Sequence, residues 1–127
     1  MPVKVVSLES IPAQEMPGRT LQWLGTPQNM GTQHIGLCIL QCPVGQAARP
    51  LHGHRDTEEV LFILQGQGEA YVDGEIAPFQ AGDAVLFPAN SKHMIRNTGA
   101  EVLRTVCVFS PPTSTASYLL FDEENVW

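Results

Sequence analysis

Apolar and polar residues alternate in short runs along this chain, and glycine, proline, asparagine or aspartate closes most of them. A period of two is the signature of a half-buried strand. It predicts strands over 3–8, 20–25, 35–41, 51–54, 59–65, 84–87, 92–97 and 102–109. The segment Ala70-Tyr71-Val72-Asp73-Gly74-Glu75-Ile76 reads as a hairpin, because Asp-Gly suits a two-residue turn. Ten prolines and eleven glycines punctuate the sequence, and helical periodicity is nearly absent. Short, regularly spaced strands of this kind predict an all-β sandwich or barrel.

Two strands break the simple alternation. Val60-Leu61-Phe62-Ile63-Leu64 is apolar on both faces. The last strand resembles it, with Val102, Val106 and Val108 opposite Leu103, Thr105, Cys107 and Phe109. A strand apolar on both sides is normally covered on both. The outward set Val60, Phe62, Leu64, Val106 and Val108 is therefore expected to be buried, by the N-terminal segment or by a second subunit. The run 60–64 is far too short to span a bilayer, so no membrane partner is expected.

At 127 residues the chain is expected to form one domain, 1–127, with a core that needs no disulfides. Seven basic against 13 acidic residues give a net charge of −6, which argues against a nucleic-acid partner. The three cysteines, Cys38, Cys42 and Cys107, show no framework spacing and read as reduced thiols. The N-terminus leads straight into a strand pattern rather than a signal segment. Together these features suit a soluble cytoplasmic protein.

The candidate chemistry lies in the histidines. Of four, three fall in two segments: His52 and His54 in the first, His93 in the second. In a strand, His52 and His54 share a face and can supply adjacent corners of a metal shell. The chain must then turn and deliver a carboxylate from the next strand. By parity Glu59 shares a face with Leu61 and Ile63, whereas Glu58 goes with Val60, Phe62 and Leu64. His93 must come from a third strand, so the site exists only in the folded protein. His34 lies outside both segments and reads as a surface or pocket-mouth residue. Gly66-Gln67-Gly68 reads as a turn, since no helix follows to make a phosphate loop.

These segments resemble the two signature motifs of the cupin superfamily. Gly45, His52, His54, Glu59 and Gly66 match the first, with one extra residue between Gly45 and His52. Gly82, Pro88, His93 and Asn97 match the second, with Asn90 where glycine is usual. The resemblance implies a double-stranded β-helix, or jelly-roll barrel, over about residues 35–110, flanked by N-terminal strands and a C-terminal tail. It implies one divalent transition metal (Mn, Fe, Ni, Co or Zn) held by His52, His54, Glu59 and His93. Two octahedral positions would stay open for water, substrate or dioxygen. Asn97 is expected to fix a loop by hydrogen bonding.

Among similar proteins such a centre serves dioxygenases, redox-neutral isomerases or lyases, and non-catalytic small-molecule or sugar-binding sensors. No convincing general base stands out beyond Glu58, Tyr71 or His34, which favours oxidative, dioxygenase-type chemistry on a small organic molecule. Cys107, on the last strand, is expected to face the metal pocket. The catalytic candidates are thus Cys107, Glu58 and Tyr71. The tail Tyr118-Leu119-Leu120-Phe121 reads as a docked terminal segment. Small cupins commonly dimerise through an apolar strand face, so a homodimer is expected.

Overall fold

The alternation read between residues 58 and 65 appears in three dimensions as alternating burial. In the computed structural model, which describes residues 2–122 and 126–127, strand Glu58–Gln65 buries Glu59, Leu61 and Ile63 and exposes Glu58, Val60, Phe62 and Leu64. In chain order the strands are β1 Gln14–Met16, β2 Arg19–Gly25, β3 Gly36–Cys42, β4 His52–His54, β5 Glu58–Gln65 and β6 Gln67–Val72. They continue with β7 Glu75–Gln80, β8 Ala84–Phe87, β9 His93–Asn97, β10 Leu103–Ser110 and β11 Tyr118–Leu120. One sheet runs β1-β2-β3-β10-β5-β8 and the other β11-β4-β9-β6-β7, all antiparallel. Two antiparallel sheets closing on each other make the expected jelly-roll barrel.

The inward residues of both sheets form one core. Leu21, Leu40, Leu61, Ile63, Phe79, Ile95, Leu103 and Phe109 are all buried in it. Each such side chain contributes roughly 1.5–3 kcal/mol when removed from water. The predicted hairpin is present between β6 and β7. Asp73 and Gly74 both take positive φ, at 47° and 95°, as a two-residue turn of this hand requires. Asp73 also accepts from the Lys92 amide at 2.8 Å, which ties the turn to the start of β9.

The structure departs from expectation at the ends. Residues 3–8 are not a strand: Val3 and Val5 are exposed, and a short 3-10 turn, Leu8–Ser10, follows. The edge beside β2 is taken by β1 instead, so residues 3–8 have no strand to pair with. A single helical turn, Pro27–Met30, is capped reciprocally by Thr26 and Asn29. The tail does dock, as the edge strand β11 against β4.

Among the described residues none covers the outer face of β5. Val60, Phe62 and Leu64 are 40%, 46% and 45% exposed, and Leu86, opposite Val60 on β8, is exposed as well. Val106 and Val108 are half-buried. The N-terminal segment thus does not supply the cover that the apolar pattern calls for.

Candidate metal centre

Three imidazoles meet at one point. β4 carries His52 and His54 two residues apart, so both rings leave the same face. His93, the first residue of β9, is the cross-strand partner of His52. The ligating nitrogens of the three rings lie within 4.8 Å of one another. Glu59 arrives from β5 in the other sheet, its Oε1 3.0 Å from His54 Nε2 and 3.6 Å from His93 Nε2. Donors about 2.1 Å from a first-row metal lie about 3 Å apart when cis and about 4.2 Å apart when trans. The Glu59 contacts at 3.0 and 3.6 Å fall within that range.

Local backbone chemistry makes the approach possible. A Cβ at Gly53 would stand 2.4 Å from the Ser91 carbonyl oxygen, so only glycine lets β4 lie this close to the turn before β9. Asn90 adopts the left-handed conformation, φ 64°, which asparagine tolerates. Its side chain accepts from the Asp56 amide at 3.0 Å and donates to Asp56 Oδ1 at 3.3 Å. The substitution of asparagine for the motif glycine thereby links the two turns that carry ligands. Asn97 fixes a loop as expected, donating to the Cys42 and Glu101 carbonyls and accepting from the Gly99 amide.

Two of the rings, His52 and His93, are set up as neutral donors. The Nδ1–H of His52 donates to the Pro50 carbonyl at 2.8 Å, which leaves Nε2 with its lone pair free. His93 Nδ1 lies 3.2 Å from Ser91 Oγ, while its Nε2 is buried without a partner, as is His54 Nδ1. A buried polar nitrogen left unpaired costs about 1–3 kcal/mol. Burial, reinforced by the neighbouring imidazoles, pulls His52 down to about 3 and His93 well below the usual histidine range. Neutral imidazole is the form a metal requires. Aromatic rings hold all three in place: Phe87 stacks on His93 at 3.9 Å, Tyr118 on His52 at 5.1 Å, and Phe109 meets His54 edge-on at 5.1 Å.

The space beside these groups measures about 20 Å³, room for roughly one water molecule. Arg19, Leu21, Leu40, Leu61, Cys107 and Tyr118 complete its wall. Cys107 therefore does face the interior, with its Sγ 3.2 Å from Thr105 Oγ1 and directly across from Cys38. Hydrogen bonding with Cys38 and full burial push its thiol well above the usual range, so it stays protonated. All three cysteines are free. Glu58 and Tyr71 do not reach this space. Glu58 is exposed on the outer face of β5, and Tyr71 packs against the separate cluster of Leu51, Met94 and Val126. His34 is exposed at the surface.

Two wall residues lay outside the sequence candidates. Tyr118 was visible only as part of a docked tail. Burial, and the nearby Glu59, push its hydroxyl far up, so it keeps its proton. Arg19 shares parity with the inward Leu21, and a charged residue in phase with core positions was the signal available.

Comparisons with known proteins bear on the fold and the family. The cupin domain family matches residues 39–109. A Streptomyces cyaneus protein described as polyketide synthase CurC is 31% identical over 110 residues, covering 85% of this chain and 70% of that protein. Quercetin 2,3-dioxygenase of Bacillus subtilis (strain 168) is 41% identical over 49 residues, 39% of this chain but 14% of that protein. The crystal structure of Lactobacillus farciminis oxalate decarboxylase in its formate complex superposes with a TM-score of 0.79 at 25% identity, covering 89% of this chain and 34% of that one. With the family matching more than half of its length and the barrel closed around three clustered histidines, the chain belongs to the cupin family.

Proposed function

We propose that this protein is a metal-dependent enzyme acting on a small organic molecule, with one divalent transition metal held by His52, His54, His93 and Glu59. The observation that carries the reading is the buried, unpartnered Nε2 of His93, 3.6 Å from the Glu59 carboxylate and within reach of the other two rings. A buried nitrogen in that setting calls for an occupant. When bound, the metal would supply open coordination positions and, if redox-active, one-electron chemistry.

Dioxygenase-type oxidation is the first reading. The cavity wall is rich in Leu21, Leu40, Leu61, Phe87 and Phe109, an apolar lining that admits dioxygen and limits water. The quercetin 2,3-dioxygenase relative is consistent with it. A second reading, a redox-neutral isomerase or lyase, is favoured by Tyr118, whose hydroxyl keeps its proton in the same wall and can donate a hydrogen bond to a substrate oxygen. A non-catalytic sensor would need neither feature. The test is elemental analysis of purified protein, then oxygen-uptake assays with diketones, catechols, flavonols and thiols. One metal per chain with oxygen consumption supports the first reading, and turnover without oxygen supports the second. Full metal occupancy in a His93→Ala protein would overturn the ligand assignment.

The exposed apolar face of β5 carries a proposal about assembly: a second copy of this chain covers Val60, Phe62 and Leu64.

A further inference from the structure

Arg19 is 3% exposed, yet it lines the same cavity as His52, Glu59 and His93. Its position lies outside the segment that matches the cupin domain family, and outside both histidine motifs. Among the described residues its hydrogen bonds all run through Nη1, to the carbonyls of Pro17 and Arg49. Nε is buried without a partner. The Nε/Nη2 edge, which receives a carboxylate side-on, thus has no acceptor. No described carboxylate forms an ion pair with this guanidinium. Glu59 is the one carboxylate in the cavity wall among the described residues, and its Oε1 lies 3.0 Å from His54 Nε2.

A guanidinium is always charged, and burying it without a counter-charge costs several kcal/mol. The two Nη1 bonds explain how Arg19 closes the turn before β2 against the loop before β4. They do not explain a second edge left without an acceptor on a residue of the cavity wall. Local charge points the same way. A divalent ion on three neutral imidazoles and one carboxylate keeps a net positive charge, and Arg19 adds another. The wall would then carry two positive centres beside a space of about 20 Å³, which side-chain movement must widen to take a carboxylate.

Building on the metal-dependent reading above, we propose that Arg19 is a substrate-positioning residue, and that the ligand is a small organic acid whose carboxylate docks on the Nε/Nη2 edge of Arg19 beside the metal.

The test uses formate, the smallest carboxylate, and formamide, its neutral isostere, as probes of the full-length protein. Dissociation constants are read by ligand-observed NMR on metal-free and metal-loaded samples. The wild-type protein should bind formate ~10–100-fold more tightly than formamide, in line with a charge-assisted hydrogen-bond pair. Arg19→Gln should abolish that preference and Arg19→Lys should keep part of it, with metal content unchanged in both. A purely structural role for Arg19 would lower the melting temperature of these variants without altering the formate-to-formamide ratio. Equal binding of both probes by the wild-type protein overturns the proposal, whether or not the Gln variant folds. So does an unchanged ratio in a folded Gln variant. If the wild-type protein takes up no metal but still prefers formate in an Arg19-dependent way, the metal assignment falls and the anion site stands.

Discussion

Tyr118 lies flat on His52, with ring centroids 5.1 Å apart and planes 10° from parallel. The contact joins a strand that carries two candidate ligands to the last strand of the fold, since β11 pairs with β4 through Tyr118 and His54 in register. The same ring meets His54 edge-on at 4.6 Å. One tyrosine thus packs against both histidines and lines the cavity beside them. Tyr118→Phe should keep metal content and stability near wild type, because the stack survives. Tyr118→Ala should lower stability by about 1–3 kcal/mol and weaken metal retention against a chelator. Equal chelation half-lives for the Ala variant and the wild type would show that the stack is incidental.

Gly53 occupies the position where β4 passes closest to the turn before β9. An added methyl group would meet the Ser91 carbonyl at 2.4 Å, a contact that flexible side-chain motion cannot relieve. Gly53→Ala should therefore push His52 away from His93 and cut metal content while leaving most of the β signal in circular dichroism. A stability loss on the order of 1–3 kcal/mol is expected from the forced backbone shift. Normal metal content together with normal melting would mean that the strands tolerate separation here.

The metal-free protein should be acid-sensitive. His52 titrates at about 3 in the folded chain, against 6.5 in an unfolded one, and His93 is shifted the same way. As pH falls below 6.5 the unfolded chain takes up these protons first, so folding stability drops with falling pH and continues to drop towards the folded values. His52 should remove about 2 kcal/mol between pH 7 and pH 5, and His93 adds to the loss in the same direction. Thermal melts at the two pH values should differ by on the order of 10 °C. A flat melting temperature over that range would contradict the buried, neutral assignment. Bound metal should shift the loss to lower pH, because it competes with protons for the same nitrogens.

The parts of the fold legible in the sequence were those with strong local periodicity. The strand ending in Gln65, the Asp73-Gly74 hairpin and the His52–His54 alternation all follow from period two and turn chemistry. Glu59 is distinguished from Glu58 by parity, and the structure turns the first inward and the second out. Residues 3–8 carry the right pattern but are exposed, because strand formation needs a partner edge and β1 occupies it. Arg19 and Tyr118 were not singled out for a related reason. Each reaches the cavity through pairing between distant parts of the chain, and the one local trace was the parity of Arg19 with Leu21. Tyr71 has good strand chemistry but sits on the face of β6 opposite the buried Ala70, away from the cavity.

Cys107 offers a test of what the cavity wall contributes beyond shape. Its thiol is buried, protonated and bonded to Thr105, so it packs as a small polarisable group. Cys107→Ala should cost about 1–2 kcal/mol of stability and leave metal content unchanged. Cys107→Ser keeps a hydrogen bond to Thr105 and should recover part of the loss. If the Ala variant loses its metal, the sulfur is a ligand in its own right.

The outer face of β5 decides the assembly. Val60, Phe62 and Leu64 stand exposed in a row on an inner strand whose edges are already paired with β10 and β8, so the face cannot be covered by adding a strand. Leu86 extends the apolar surface onto β8. A contiguous patch of this kind marks an interaction surface, and a second copy of the same face would be self-complementary. Phe62 lies in the middle of the row, where a charge would be buried without a partner. Phe62→Glu should therefore convert a dimer to monomers in sedimentation velocity, with metal content retained because the inward face of β5 is untouched. Wild-type protein that sediments as a monomer at concentrations of about 100 µM, well above a micromolar dissociation constant, would remove the dimer and leave the barrel and its metal centre standing.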